Sequence, residues 1–299
     1  MTAEPPTIDR LFVCIGAQKA GTTWLARMLA GHPDFFLTPV KEIHYFDHVR
    51  GITAHLSDRK RRSRYRKYHQ RLWTQWRRWA ELRAQWDWYR DYLSDPIDDA
   101  WYADLFRRRG ACRFAGEATP EYALIGAEGF GHLKRLAPEV RILYIMRNPV
   151  DRAWSQALHY CRSHRLDVAA EPAERLIALL DSEPFEALGD YGAVLRDLEA
   201  VFAPEQTLLA FYEDMHADRQ AALERVCRFI GLDFDRSTFQ GAERRYNPSQ
   251  EGEMPDEVRD HLRRKYAGLA EDIGRRVGRV PESWTQELRV TDEAKEASG

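Results

Sequence analysis

This sequence of 299 residues predicts an α/β fold in three layers: a central parallel sheet flanked by helices. Three observations carry that prediction. Residues 11–16 (Leu-Phe-Val-Cys-Ile-Gly), 140–146 (Val-Arg-Ile-Leu-Tyr-Ile-Met) and 206–212 (Gln-Thr-Leu-Leu-Ala-Phe-Tyr) are apolar almost throughout, as strands covered on both faces are. Each run is followed by a segment with helical spacing of apolar residues, the pattern of a parallel sheet with helical crossovers. Each also ends in polar residues: Gln18-Lys19, Arg147-Asn148 and Tyr212-Glu213-Asp214. In such sheets ligands collect at the carboxyl ends of the strands.

Taken in order, the first strand runs into a glycine-bracketed loop and a helix over 22–31, stopped by Gly31-His32-Pro33. Phe35-Phe36-Leu37 is a short apolar segment leading into Thr38-Pro-Val-Lys41-Glu42-Ile43-His44-Tyr45-Phe46-Asp47. The strand at 140–146 feeds Arg147-Asn148-Pro149 and a helix through Trp154 and Leu158. The last strand precedes a helix over about 221–230. A single domain is expected over 1–299, with a helical insertion at about 55–105 and a disordered tail at about 290–299. Within the insertion, Leu72, Trp76, Trp79, Leu82, Trp86, Tyr89 and Leu93 recur at steps of three and four. That spacing predicts one face of a long helix over 57–93, interleaved with arginines from Arg59 to Arg90. Such a stripe either packs on the core beneath a solvated basic face or forms a platform for an acidic or aromatic substrate. Binding of single-stranded nucleic acid is the weaker third reading.

Composition bounds the function. The chain is 44% apolar and 31% charged, with a formal net charge of −2, so attraction to polyanions must come from a local patch. The first residues lack the basic and apolar regions of a signal peptide, and no apolar run approaches the ~18 residues of a membrane span. Cys14, Cys112, Cys161 and Cys227 are scattered; Cys14 and Cys227 read as buried thiols. A cytoplasmic protein without membrane association is the expectation.

The run Gly16-Ala-Gln-Lys19-Ala-Gly21-Thr22-Thr23-Trp24 carries the chemistry. A strand, glycine loop and helix aim backbone N–H groups and a helix dipole at a phosphate. The nucleotide-hydrolase pattern needs Lys directly after the second glycine. Here Thr22 holds that place and Lys19 lies inside the loop. A nucleotide kinase or other P-loop-type enzyme is therefore the competing class, disfavoured by that lysine and by the lack of a clear aspartate for magnesium.

These residues resemble the sulfotransferases that use 3′-phosphoadenosine 5′-phosphosulfate (PAPS), and the resemblance implies a P-loop-like fold. The 5′-phosphosulfate loop of that family is similar to Lys19-Ala20-Gly21-Thr22-Thr23-Trp24. Its 3′-phosphate pair, an arginine followed eight residues later by a serine, resembles Arg147 and Ser155. The strand-end tyrosine on the adenine side resembles Tyr212, and Trp24 matches the residue stacked on adenine. A late basic loop resembles Arg244-Arg245, either of which would reach the nucleotide. Lys41-Glu42-Ile43-His44-Tyr45-Phe46-Asp47 is similar to the glycan-type segment that holds the general base, which implies Glu42 as base with His44 as the alternative. Ala118 stands where glycan-type enzymes carry a second lysine. The implied reaction moves the sulfuryl group of PAPS to a hydroxyl, or less readily an amine, of a small-molecule or carbohydrate acceptor. It would leave 3′,5′-adenosine bisphosphate (PAP) and need no metal, with Lys19 stabilising the leaving phosphate.

Overall fold

The computed structural model describes residues 7–243 and 252–288. Five parallel strands form one sheet: β1 (Leu11–Gly16), β2 (Phe35–Leu37), β3 (Phe114–Ala118), β4 (Arg141–Met146) and β5 (Thr207–Phe211), in the order β2-β3-β1-β4-β5. Every residue of β1 and β3 is buried, and all of β4 after Arg141. A strand sealed on both faces needs helices on both sides.

Those helices are α1 (Thr22–Leu29), α2 (Tyr45–Val49), α3 (Asp58–Thr74), α4 (Trp79–Ala84), α5 (Trp86–Tyr92), α6 (Asp99–Asp104), α7 (Gly126–Leu136) and α8 (Pro149–Ser163). After them come α9 (Ala173–Leu180), α10 (Glu183–Ala187), α11 (Tyr191–Val201), α12 (Tyr212–Ala217) and α13 (Arg219–Ile230). The last described are α14 (Asp256–Lys265), α15 (Leu269–Val277) and α16 (Glu282–Leu288). Cys14 and Cys227 are both buried. No helix among the described residues is long and apolar enough to cross a membrane.

The structure departs from the sequence reading in two places. β3 was not anticipated, because Phe-Ala-Gly-Glu-Ala is too short and too polar to read as a central strand. Gly116 is required there by packing: a Cβ would lie 2.6 Å from the Phe35 ring and 2.7 Å from the Phe12 carbonyl oxygen. Glu117 is tolerated because Tyr102 Oη, Thr119 Oγ1, Tyr122 Oη and the Ile43 N–H all donate to its carboxylate, the condition for burying a charge.

The long helix over 57–93 is also corrected. The chain turns back at Gln75, and α3 packs against α4 and α5 as a hairpin. Folding back lets Tyr68 Oη donate to the Leu82 carbonyl at 2.8 Å and stack on Tyr89, ring centroids 4.0 Å apart. A straight helix would leave both rings in water. Leu82 and Tyr89 of the predicted stripe are buried, whereas Trp76, Trp79 and Trp86 are exposed. Arg244, Arg245 and the tail at 290–299 lie outside the described residues.

Candidate functional site

The loop after β1 is built for an anion. Gly21 caps α1 at φ 84° with no side chain accepting from the first turn. The N–H groups of Gly21, Thr22 and Thr23 therefore have no acceptor among the described residues, whereas the Trp24 N–H is taken by the Gly21 carbonyl at 3.0 Å. Gly21 is needed twice over: for its positive φ, and because a Cβ would meet the Tyr212 ring at 3.3 Å. Ala20 is buried beneath the loop.

Around this helix start stand Lys19, Arg147 and Arg162, none of which forms an ion pair among the described residues, although Glu213 lies close enough to Arg147 to feel its charge. Lys19 has its pKa lowered, first by burial and then by Arg147 and Arg162. Arg147 donates to the Lys19 carbonyl at 3.0 Å and lies 4.8 Å over the Tyr212 ring. Its Nε is buried without a hydrogen-bond partner. The Arg147 backbone is held in turn: its carbonyl accepts from Tyr191 Oη at 2.6 Å, and the next N–H donates to Glu213 at 2.7 Å. Ser155 is buried on α8, one turn before His159 and two before Arg162. Lys19 and Arg147 are half-buried and Arg162 is exposed; like charges gathered in this way favour an anionic partner, so the arrangement fits a multiply charged anion. Trp24 closes this side, with Nε1 donating to the Ala242 carbonyl at 2.9 Å and Arg219 6.0 Å from its ring. Tyr212 begins α12 instead of ending β5. The structure thus gathers Lys19, Gly21, Thr22, Arg147 and Tyr212 at one place.

The second half follows β2 and β3. Lys41 Nζ lies 2.6 Å from Glu42 Oε1 and 3.4 Å from Thr22 Oγ1, tying the α1 terminus to Glu42. Burial alone would raise the Glu42 pKa, but His44 and Lys41 outweigh it and hold the carboxyl at about 2. His44 is buried at φ 64°, a conformation that costs energy in a non-glycine residue. Its neighbours hold it there: the Ile43 N–H donates to Glu117 at 3.2 Å and the Tyr45 N–H to Tyr122 Oη at 3.0 Å. Burial works against a charged His44, yet Asp47 at 2.9 Å and Glu42 at 3.8 Å raise its pKa to about 9. Thr53 Oγ1 donates to the same Asp47 oxygen. Glu121 accepts from Gln18 at 3.2 Å, while its other oxygen is buried without a hydrogen bond, 4.0 Å from His44 Nδ1, and burial raises its pKa against the pull of His44.

A cleft of about 410 Å³ opens in front of Lys41 and Glu42. Thr23 and Arg27 line it from α1, Arg64, Lys67 and Arg71 from α3, and Tyr89 from α5.

Sequence reasoning missed Arg162, His159 and Glu121. The first two follow Ser155 at i+7 and i+4, one helical face that periodicity from Ser155 could have found. Glu121 was hidden with β3, since it matters only because that strand ends beside the Lys19 loop.

Residues 12–236 match the profile of the sulfotransferase family. A human bifunctional heparan sulfate N-deacetylase/N-sulfotransferase 2 is 24% identical over 247 residues, covering 77% of this chain and 23% of the relative. The mouse N-deacetylase/N-sulfotransferase 1 is 29% identical over 170 residues, 56% of this chain and 15% of the relative. The alignment thus spans less than a quarter of either relative. The crystal structure of a sulfotransferase from Alicyclobacillus acidocaldarius superimposes with a TM-score of 0.62 at 22% identity, covering 92% of this chain and 98% of that one; it shows the shared fold.

Proposed function

From a chain that belongs to the sulfotransferase family, we propose an enzyme that moves the sulfuryl group of PAPS to a hydroxyl of an acceptor lying in the cleft before Glu42. The observation that carries this reading is the cationic cluster of Lys19, Arg147 and Arg162 at the α1 terminus, without an ion pair among the described residues and joined through Lys41 to a cleft-lining carboxylate. When bound, PAPS supplies the sulfuryl group and a phosphate leaving group.

The chain's own residues then divide the work. The N–H groups of Gly21, Thr22 and Thr23 hold the 5′ end, and Lys19 offers a point charge to the leaving oxygen. Arg147 and Ser155 hold the 3′ phosphate, the guanidinium through its planar fork. Tyr212 and Trp24 flank the base. Glu42 takes the acceptor proton. At a pKa of about 2 it is ionised but weakly basic, and an anion at the α1 terminus competes with it for Lys41, which raises its basicity toward the useful range. His44 is charged at neutral pH, so it orients and neutralises instead of accepting a proton.

Glu121 is the rival base, favoured by a buried oxygen free of hydrogen bonds and by its raised pKa. Glu42 is preferred because it lines the cleft. Arg27, Arg64, Lys67 and Arg71 on the same wall support an acceptor that bears negative charge, as acidic sugars do.

The test is transfer of labelled sulfur from PAPS to a panel of neutral and acidic acceptors, with thermal stabilisation by PAP measured alongside. Stabilisation by ATP–Mg²⁺ but not by PAP would overturn the reading in favour of a nucleotide kinase.

A further inference from the structure

The hairpin of α3, α4 and α5 carries a surface that sulfuryl transfer does not use. Trp73, Trp76 and Trp79 at its turn are 77%, 73% and 54% exposed, and Trp86 is 36% exposed. Among the described residues, the other exposed large hydrophobic side chains are only Val49 and Ile52. Leaving several indoles in water at one turn is unfavourable unless something covers them. Residues 73–86 also hold three Arg against one Glu, in a chain whose net charge is −2. The two features interleave. The Arg77 guanidinium lies 5.3 Å from the Trp76 ring, and that of Arg83 lies 5.4 Å from Trp86. Trp73 and Trp86 converge on His69, ring centroids 6.1 and 6.5 Å apart, so these three rings adjoin, while Trp76 and Trp79 stand exposed at the turn that follows Trp73.

We propose that this tip, Trp73, Trp76 and Trp79 with Arg77, Arg78 and Arg83, is a docking surface for an anionic lipid bilayer. Indoles combine an apolar body with a polar N–H and settle at the boundary between headgroups and acyl chains. Arg77 and Arg83 beside them meet lipid phosphates, and Arg78, held by Glu81 at 2.6 and 2.9 Å, does so where a phosphate displaces that carboxylate; the attraction depends on the anionic lipid content. A second copy of the chain is a poorer occupant, because two such tips carry the same sign of charge. Single-stranded nucleic acid needs a basic groove that tracks its backbone, whereas these rings project from a turn. The surface stands independently of the base assignment and of the acceptor's identity.

The test is flotation of the full chain with vesicles of phosphatidylcholine, with and without phosphatidylglycerol, at low and high salt. Binding is expected with phosphatidylglycerol only, falling as salt rises, together with tryptophan quenching by lipids brominated on the acyl chain. The triple substitution Trp73→Ser, Trp76→Ser, Trp79→Ser should reduce partitioning by about tenfold or more while the circular dichroism melt stays unchanged. Absence of phosphatidylglycerol-dependent flotation at low salt overturns the proposal, as does undiminished flotation of a folded triple variant. Tight binding of a single-stranded oligonucleotide without vesicle binding, or a dimer that the triple substitution dissolves without vesicle binding, overturns it equally. Should the triple variant fail to fold, quenching of the unsubstituted chain by brominated lipid decides the matter: quenching supports docking and its absence rejects it.

Discussion

The two halves of the site are opposites in how their charges are satisfied. Around the β1 loop, Arg147 and Arg162 crowd Lys19, and among the described residues the Arg147 Nε has no hydrogen-bond partner and three backbone N–H groups lack acceptors. Across Lys41 the charges are paired: Glu42 with Lys41 and His44 with Asp47, while Thr53 and Gln18 donate to Asp47 and Glu121. On the proposed reading the first half is completed when an anion arrives. The second is organised beforehand and is retuned when Lys41 is drawn away. The proposed clamp and the proposed acid–base unit thus follow different rules, and substitutions should tell them apart.

The largest effect is expected in the organised half. Glu42→Gln should lower kcat by roughly a thousandfold while PAP stabilises the variant as it does the unsubstituted chain; unchanged turnover would transfer the base role to Glu121, to be checked with Glu121→Gln. Lys19→Ala comes next, with a loss of about a hundredfold in kcat read by single-turnover transfer of label. Arg147→Ala should instead act on binding, weakening PAP by about ten- to a hundredfold in calorimetric titration; equal loss in kcat alone would erase the distinction between the halves.

The pH profile sharpens the comparison further. His44 is raised from 6.5 to about 9 and faces Asp47, Glu42, Glu121 and the His55 ring at 4.6 Å. A raised pKa means the charged form is favoured in the fold. Its contribution is complete below the ordinary histidine range and is lost as pH rises through about 9. Turnover should therefore fall above about pH 9, and Asp47→Asn should move that limb downward. The smallest effect is Ser155→Ala, about fivefold in PAP affinity for one lost neutral hydrogen bond.

The clamp was far more legible in the sequence than the acid–base unit. Lys19 to Trp24 form one continuous motif, and Arg147 and Ser155 sit at a fixed spacing on the next β–α unit. Local spacing suffices because each piece is the end of a strand or the start of a helix. Glu42 and His44 were visible too, but their states were not. The ordinary range for a carboxylate or imidazole says nothing of the Lys41 pairing or of Asp47 against His44. Glu121 and Glu117 were invisible as functional groups because β3, with Gly116 and Glu117 inside it, does not read as a strand.

The sequence by itself determined the order of the strands that read as apolar, the polar residues at their ends and the anion-binding loop. These are local properties: a continuous apolar run must be buried, and a glycine loop before a helix exposes N–H groups wherever it occurs. Tertiary structure alone decided that β3 enters between β2 and β1, which brings Glu121 to Gln18 and fixes Ile43 through Glu117. It alone decided that the 57–93 segment folds back, burying Leu82 and Tyr89 and leaving Trp76 and Trp79 in solvent. Periodicity specifies that a stripe of residues shares a face, but only the packing of distant segments specifies what that face meets.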